Sequence, residues 1–237
     1  MEIKLASYLT GNEIIINDKK TYPKIIRTYC ESILKYENFT DTVDGLLQLL
    51  KNNNFEIVCF HLSRFTDKEI ESIKVNGLEN SDKELFIRKI QNMDCLTNME
   101  KNRLLKHVEG LKYTQVDGGL CCKIGTSKIN DRQLFQNDLN CFIADWGGET
   151  IYNYYETHKN QSVQQMRTKI NENSKPQICI LKIKFYSIPY CDAHEICTRM
   201  LKYYCKASDE CDYTLVVAAN HLTFVDCIDF NINDIII

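Results

Sequence analysis

The stretch Phe55–Leu78, with the sequence FEIVCFHLSRFTDKEIESIKVNGL, constrains the fold of this chain more than any other segment. Its apolar beginning, Phe55–Phe60, predicts a buried strand. Thr66 and Glu69 match the pattern of a capping box, which predicts that a helix begins there. Gly77 lies where such a helix needs a residue of positive φ after its last turn. The sequence therefore predicts a strand and a helix joined by a short, rigid connection.

Three polar residues follow the apolar part of this strand. His61, Ser63 and Arg64 are expected at its end, and alternation places His61 and Ser63 on one face and Arg64 on the other. An imidazole beside a hydroxyl suits hydrogen bonding to a ribose diol, and the planar donors of an arginine suit a phosphate. The alternatives are a core histidine bonded to a backbone carbonyl and an arginine in a surface ion pair.

A second motif, Asp145-Trp146-Gly147-Gly148-Glu149, contains the only tryptophan of the chain. Two adjacent glycines indicate either positive φ or the close approach of another group. In a functional interpretation, Glu149 points into a cleft beside an aromatic wall and stabilises a charged sugar as a glycosidic bond breaks. In the alternative, Glu149 is merely favourable at a helix N-terminus.

Further candidates are less specific. Tyr152 and Tyr155 follow at helical spacing and are predicted to line one helix face, with core packing as the alternative. Glu210 directly precedes a predicted strand and competes with Glu149 as a functional carboxylate, with a solvated turn as the alternative.

Composition describes an ordinary soluble protein, with 44% apolar and 26% charged residues among 237. The mixed, polar N-terminus predicts no signal peptide, and no apolar run is long enough to span a membrane. A net charge of −3 gives the whole chain no strong attraction for nucleic acid. We therefore expect a cytoplasmic protein that does not interact with membranes.

Twelve cysteines are an unusually large number, and in the absence of a secretory signal we expect reduced thiols. Cys191, His194 and Cys197 have the spacing of one helix face, but this spacing matches no common zinc module. We predict small buried side chains rather than a metal site.

The remaining patterns predict an α+β fold with about five core strands and helices inserted between them. Hairpins are expected near both ends of the chain, and two further capping boxes are expected to start helices. The predicted elements are a hairpin of Glu2–Tyr8 and Glu13–Asn17, helices from Pro23 and over Thr42–Lys51, capping boxes at Ser81/Glu84 and Thr97/Glu100, strands Leu120–Ile124 and Cys141–Ala144, helices Thr150–Thr157 and Ser162–Asn171, a half-exposed strand Cys179–Phe185, a helix Asp192–Lys206, and a closing hairpin of Tyr213–Ala219 and Leu222–Phe230.

The segment HLSRFTDKEIESIKVNGL, joined to the later WGGETIY, resembles the ADP-ribosyltransferases of the poly-ADP-ribose polymerase-like branch. It is also similar to a group of bacterial proteins with the pattern His-x-Ser/Thr-Arg…Gly-Leu…Trp-Gly-Gly-Glu. The resemblance covers about residues 55–155. It implies an ADP-ribosyltransferase-like core of mixed and antiparallel strands with inserted helices, forming a catalytic domain over residues 53–237, with residues 1–52 as an accessory segment packed on it.

This resemblance also implies NAD as a substrate and assigns roles to residues. His61 would bind the ribose, with Leu62 and Ser63 beside it and Arg64 facing a phosphate. Trp146 or a tyrosine such as Tyr152 would stack on the ring. The catalytic glutamate would be Glu149, which has the more specific motif, or Glu210, which matches the usual position before a late strand.

The activity implied is transfer of ADP-ribose from NAD to a macromolecular acceptor, either nucleic acid or protein, with NAD hydrolysis as a sub-case. The resemblance also implies a role as a bacterial toxin or antiphage effector, and an antitoxin or regulatory protein is then an expected partner. The alternatives are an RNA 2′-phosphotransferase-like enzyme, because those enzymes share the opening motif, and a non-catalytic nucleotide- or partner-binding module of the same fold.

Overall fold

The computed structural model describes residues 2–33, 39–111, 119–125, 128–130, 143–205 and 213–229. These ranges contain strands and helices that alternate irregularly along the chain. The strands are β1 (Glu2–Lys4), β2 (Glu13–Ile14), β3 (Glu56–Phe65), β4 (Gly119–Ile124), β5 (Lys128–Asn130), β6 (Lys175–Lys184), β7 (Tyr213–Ala218) and β8 (Leu222–Asp229). The helices are α1 (Lys24–Ile33), α2 (Phe39–Asn52), α3 (Asp67–Asn76), α4 (Lys83–Gln91), α5 (Asn98–Gly110), α6 (Gly148–Thr157), α7 (Gln161–Glu172) and α8 (Tyr190–Tyr204). The fold class is α+β, as predicted.

The main sheet has the strand order β7-β4-β3-β6-β8, and neighbouring strands in this path are antiparallel. β3 pairs with β6 along its whole length, from Glu56 to Phe65. On its other side, among the described residues, β3 pairs with β4 only at Phe60 and Lys123, while β2 pairs in parallel with the first residues of β3. In the described part of the chain, β3 and β4 therefore separate beyond Phe60.

The link between the two outer strands requires a curved sheet. In a flat sheet β7 and β8 would lie about 19 Å apart, because four strand spacings of about 4.8 Å separate them. Only the short turn Ala219–His221 joins them, and from Ala218 to Leu222 the chain spans at most about 14 Å. The sheet must therefore bend or open sharply, and the single register pair between β3 and β4 locates that opening.

Two apolar cores cover the two faces of the sheet. Ile57, Cys59 and Phe65 of β3 belong to the core that also contains side chains of α1, α2 and α8. Val58, Phe60 and Leu62 belong to the core on the opposite face. The alternation predicted for β3 is thus correct, and it places His61 and Ser63 on the first face and Arg64 on the second. A third cluster packs α4, α5, α6 and α7 together.

The predicted helix starts are largely confirmed. Thr66 with Glu69, and Thr97 with Glu100, form capping boxes with both reciprocal hydrogen bonds present. Gly77 follows α3 with a φ of 78°. The prediction at Ser81 is wrong, because α4 begins later and is capped by Asp82, whose side chain accepts a hydrogen bond from the Leu85 N–H. Helix α3 is therefore capped at both ends as the sequence indicates.

Both predicted hairpins are wrong. β1 pairs with β5, Leu5–Tyr8 is a 3-10 turn, and β2 joins β3. β7 pairs with β4 and β8 with β6, so these consecutive strands lie at opposite ends of the sheet path. Neither connection contains a glycine pair or an Asn-Gly turn that would specify a two-residue hairpin, so distant partners decided the pairing.

Two further predicted strands differ in the structure. β6 is buried on both faces over most of its length rather than half-exposed, because cores cover both sides of the sheet. The strand predicted at Cys141–Ala144 is wrong at its described end, where Ile143 and Ala144 are helical, and 141–142 lie outside the described residues.

The first fifty residues contribute to the same cores as the rest of the chain. Ile14 and Ile26 pack with β3 and β6, and α2 packs against α8. The division at residue 52 stays a prediction, since the described side chains show continuous packing across it. None of the described helices has the length and apolar character of a membrane span.

A buried ion pair fastens the N-terminal segment to β6. The Glu13 carboxylate pairs with the Lys182 ammonium and accepts hydrogen bonds from the Thr10 and Gly11 N–H groups at 2.9 and 2.6 Å. Burial by itself would raise the pKa of Glu13, but Lys182 and the hydrogen bonds with Thr10 lower it to about 2. The charged carboxylate is therefore strongly preferred in the folded state.

We expect this ion pair to make stability fall with acid. Because the folded-state pKa of Glu13 is about 2 and its ordinary value is 4.5, its contribution is complete above pH 4.5 and is lost as the pH falls toward 2. Urea denaturation of the chain and of Glu13→Gln should show a stability difference that shrinks from about pH 5 to about pH 3. A difference that stays constant over this range would contradict the assignment.

Candidate functional site

A cleft of about 960 Å³ opens where β3 separates from β4. Its walls come from the second half of β3, from β4, from α3 and α4, and from the turn that starts α6. Small-molecule sites commonly have volumes of about 300–1,000 Å³, so this cleft has room for a large ligand such as a dinucleotide. Both sequence motifs contribute to it, although more than eighty residues separate His61 from Trp146.

His61 lies at the point where the two strands separate. Its Nδ1 is 2.9 Å from the carbonyl oxygen of Cys121 on β4, which requires that Nδ1 carries the hydrogen and donates it. Burial lowers the pKa of His61 below its usual value, against the opposing effect of this hydrogen bond, and Lys89 lowers it further. At neutral pH the ring is therefore uncharged, and its Nε2 is a hydrogen-bond acceptor.

Ser63 lines the cleft with its side chain, whereas Leu62 lines it with its backbone. Ser63 lines it on the same strand face as His61, and its hydroxyl has no hydrogen bond to another described residue. The Leu62 side chain is buried in the second core, so its contribution to the cleft wall is its backbone. His61 and Ser63 thus present an acceptor and a hydroxyl side by side, as the strand alternation predicts.

Arg64 lies in the cleft wall but its donors are engaged within the protein. Its Nη2 donates to the carbonyl oxygens of Asn171 and Ser174 at 2.8 Å each. Its Nε and Nη1 bond to the Ser174 hydroxyl and the Ile143 carbonyl at 3.3 and 3.4 Å. Arg64 therefore holds the end of α7 against β3, and the phosphate contact expected of it stays a prediction.

Trp146 packs into the wall rather than standing open in the cleft. Its side chain is 1% exposed, and its ring meets the Phe86 ring edge-on at a centroid distance of 6.5 Å. The indole Nε1 donates to Glu69 Oε2 at 2.9 Å. Because the indole is enclosed in this way, neither face of its ring is open for the stacking on a ligand ring that is expected of Trp146.

Glu69 has more contacts than its predicted capping role requires. Besides accepting hydrogen bonds from the Thr66 N–H and the Trp146 indole, its carboxylate forms an ion pair with Lys89, whose Nζ is 2.7 Å from Oε1. Burial would raise the pKa of Glu69, but Lys89 and these hydrogen bonds lower it. Lys89 also lies 5.3 Å from the centre of the Phe65 ring. Glu69 thereby connects the first motif, the second motif and α4.

The two glycines after Trp146 are explained by backbone conformation. Gly147 and Gly148 have φ values of 84° and 57°. A Cβ atom at Gly147 would lie 2.3 Å from Ile151 Cγ1, so a side chain there would clash as well as strain the backbone. The pair forms the sharp turn into α6, and both residues line the cleft.

A buried polar network holds this turn. Asp145 is fully buried and accepts two hydrogen bonds from Arg167, at 2.8 and 2.7 Å. Asn171 Nδ2 donates to Asp145 at 2.9 Å, and the Asn171 carbonyl accepts from Arg64. The network connects the turn to α7 and to β3, so the second motif is fixed relative to the first.

Among the described carboxylates that line the cleft, that of Glu149 is the one without a partner inside the protein. It lies in the first turn of α6, exposed at the cleft wall, and has no ion pair or side-chain hydrogen bond to a described residue. The other described carboxylates of the cleft each have a cationic partner, in the pairs Asp67–Lys175, Glu69–Lys89, Glu79–Arg88 and Asp94–Lys68. A free carboxylate and a neutral imidazole therefore share one cavity.

Two other predicted site residues are not brought to the cleft. Tyr152 does not line it and instead lies with its ring centre 5.9 Å from the Arg167 guanidinium. Tyr155 is buried in the helical core, as its alternative interpretation predicted. Glu210 lies outside the described residues, so its role stays a prediction.

The sequence did not single out Arg88 and Lys89, which place two cations at the cleft from α4. The pattern of α4 is that of an ordinary amphipathic helix, and basic residues are common in a last turn. The partnership of Lys89 with Glu69 is a long-range contact, so no local signal marked it.

The described residues contain no group of three or more potential ligands that could hold a metal ion. Cys197 is buried on α8, as expected, whereas Cys191 is exposed. Comparison with known proteins gives no assignment, since no family model, no curated protein and no solved structure matches the chain.

Proposed function

We propose that the chain is an ADP-ribosyltransferase that uses NAD as its substrate and transfers ADP-ribose to a macromolecular acceptor. The observation that carries this proposal is the presence of the free Glu149 carboxylate in the same large cleft as the neutral His61 and the Ser63 hydroxyl. These groups match what the sequence resemblance implies for ribose binding and for stabilising a charged sugar. The split α+β sheet is the proposed ADP-ribosyltransferase core.

His61 and Ser63 would hold the nicotinamide-side ribose. The Nδ1–H of His61 is committed to the Cys121 carbonyl, so Nε2 accepts a hydrogen bond from one ribose hydroxyl. The Ser63 hydroxyl, which is free of described partners, bonds the neighbouring hydroxyl. Both groups sit on a strand that β6 pairs over its whole length, so their positions are rigid before the substrate arrives.

Glu149 would act where positive charge develops. As the bond between nicotinamide and ribose breaks, the sugar becomes oxocarbenium-like and nicotinamide leaves with the bonding electrons. A carboxylate at that point lowers the barrier, because it stabilises the cationic transition state more than the neutral sugar of the ground state. The acceptor nucleophile, or water in the hydrolytic sub-case, then attacks the anomeric carbon and releases its proton to solvent.

Lys89 would contact the diphosphate. Its ammonium lines the cleft and is close enough to His61 to lower the pKa of that ring. Glu69, which is held by the Thr66 N–H and the Trp146 indole, keeps the ammonium in place. Arg64 is less suited to this role, because its donors are bonded to carbonyls and to the Ser174 hydroxyl.

The proposal is tested by nicotinamide release. Purified chain is incubated with NAD, with and without cell extract as a source of acceptors, and free nicotinamide is quantified. We expect nicotinamide to be released only when the chain is present. When the NAD carries a label in its adenylate part, we expect that label to become attached to protein or nucleic acid of the extract. NAD binding without release under either condition would instead favour a non-catalytic module, and no binding would overturn the proposal.

Replacing Lys89 should weaken binding of every ligand that contains the diphosphate. We expect Lys89→Met to raise the Kd for NAD and for ADP-ribose about 10-fold or more, because a charge-assisted hydrogen bond contributes about 1.5–3 kcal/mol. Lys175→Met is the control, since Lys175 also pairs with a carboxylate, that of Asp67, but does not itself line the cleft. Calorimetric titration measures both constants, and Lys89→Arg should restore most of the affinity. Equal affinities for the chain and Lys89→Met would contradict the assignment.

A further inference from the structure

Two cysteines face each other across neighbouring strands of the main sheet. Cys179 on β6 and Cys227 on β8 are direct partners in the antiparallel register. Their sulfur atoms are 3.5 Å apart. Cys227 also donates a hydrogen bond to Gln177 Oε1 at 3.1 Å. The contact between the two thiols is therefore set by the register of two paired strands.

The backbone at this position can accept a disulfide. Opposed residues of antiparallel strands have Cα atoms about 4.5–5.5 Å apart, which lies within the range of about 4.4–6.8 Å seen across disulfides. The sulfur atoms would have to approach from 3.5 Å to a bond length of about 2.0 Å. A register shift between Ile180 and Leu181, directly after this pair, interrupts the β6–β8 ladder and leaves β8 room to adjust.

The two thiols differ in reactivity. Cys227 is half-buried on the outermost described strand of the sheet, whereas Cys179 is fully buried. The hydrogen bond from Cys179 lowers the pKa of Cys227 against the effect of burial. Lys74 lowers this pKa further, against the carboxylates of Asp229 and Asp226, which raise it. The pKa of Cys179 is raised well above its ordinary value by the hydrogen bond with Cys227 and by burial. Cys227 is thus the group that reacts first with an oxidant from solvent.

We propose that Cys179 and Cys227 are an oxidation site that takes a hydroperoxide as substrate and forms a reversible disulfide between β6 and β8. The Cys227 thiolate attacks one peroxide oxygen, the O–O bond breaks, and the product is a sulfenic acid and hydroxide, which takes up a proton to give water. The Cys179 sulfur then attacks the Cys227 sulfur and expels a second water. Two thiols are oxidised, one hydrogen peroxide is reduced, and two waters are formed.

A second thiol contact in the same sheet provides an internal comparison. Cys59 on β3 and Cys122 on β4 are hydrogen-bonded to each other, and both are fully buried. Burial raises the pKa of Cys59 well above its ordinary value. This pair has the proximity but not the exposure, so it should stay reduced when Cys179 and Cys227 react.

The site lies one strand away from the cleft. The register partner of Cys179 on its other side is His61 of β3. A disulfide would link β8, at the edge of the sheet, to β6, which pairs with β3 at His61. The chemistry itself does not depend on the proposed function, because it needs only the thiol pair and a peroxide.

The test treats the full chain with hydrogen peroxide, blocks remaining thiols under denaturing conditions with a maleimide, and maps the peptides by mass spectrometry. We expect ten blocked thiols instead of the twelve of the untreated chain. The missing two should appear as a Cys179–Cys227 cross-linked peptide that dithiothreitol reverses. Cys227→Ser should abolish the cross-link, whereas Cys59→Ser should leave it unchanged.

The peptide map of the peroxide-treated chain without substitutions tests the proposal even if a variant fails to fold. Twelve blocked thiols after peroxide treatment would overturn the proposal. A cross-link between other cysteines, or Cys227 recovered as a sulfinic acid with Cys179 still free, would overturn it as well.

Discussion

Changing Glu149 to glutamine is expected to lower the rate of nicotinamide release from NAD by about 10²–10³-fold while the Kd for NAD stays nearly unchanged. The amide keeps the size of the side chain and removes its charge. The charge contributes when the sugar becomes cationic, so the loss should appear in kcat rather than in binding. Glu149 is exposed and free of described side-chain partners, so the variant should fold normally.

Asp94→Asn is the matched control for this experiment. Asp94 also lines the cleft, but it pairs with Lys68 and both side chains are exposed. We expect the control to retain its rate within about 2-fold, because an exposed ion pair contributes little. If Glu149→Gln retained the rate and Glu210→Gln lost it, the catalytic carboxylate would be Glu210, and the role proposed for Glu149 would be wrong.

The largest effect on stability is expected at Asp145. Asp145→Ala should lower the free energy of unfolding by about 3 kcal/mol, because removing one partner of a buried ion pair leaves the other uncompensated. Arg167 would lose both of its hydrogen bonds to the carboxylate, and Asn171 would lose one. Denaturation with urea, followed by fluorescence of the single tryptophan Trp146, measures the change close to the site.

Asp67→Ala controls for the loss of an ion pair as such. Asp67 pairs with Lys175 on the surface, where both side chains are more than half exposed. We expect no measurable change in the urea midpoint for this variant. If both variants behaved alike, the buried network around Asp145 would not be what holds the Trp146-Gly147 turn in place.

The local features of the fold could be predicted from the sequence because their causes are local. A capping box needs only Thr66 and Glu69 three positions apart, and the turn after α3 needs only Gly77. Alternation along β3 likewise follows from the backbone, and it assigned His61 and Ser63 to one face. Each of these patterns is complete within a few residues of chain.

Strand pairing and burial depend on residues far apart in the chain. Nothing near Leu222 indicates that its strand joins β6 rather than β7, because that choice follows from the bend of the whole sheet. The contacts that enclose Trp146 come from Glu69 and Phe86, which lie 60 or more positions away in the sequence.

For the candidate site, the sequence by itself determined which chemical groups are present and which of them share a strand face or a helix start. The tertiary structure decided which groups remain free to meet a ligand. Arg64 and Trp146 are engaged in contacts within the protein, Lys89 is brought to the cleft by α4, and Glu149 is left unpaired among the described cleft carboxylates. The physical reason is that buried polar groups must form hydrogen bonds within the protein, so only a side chain that its neighbours do not use in this way is available to a ligand. Which neighbours surround a side chain is decided by contacts across the whole chain.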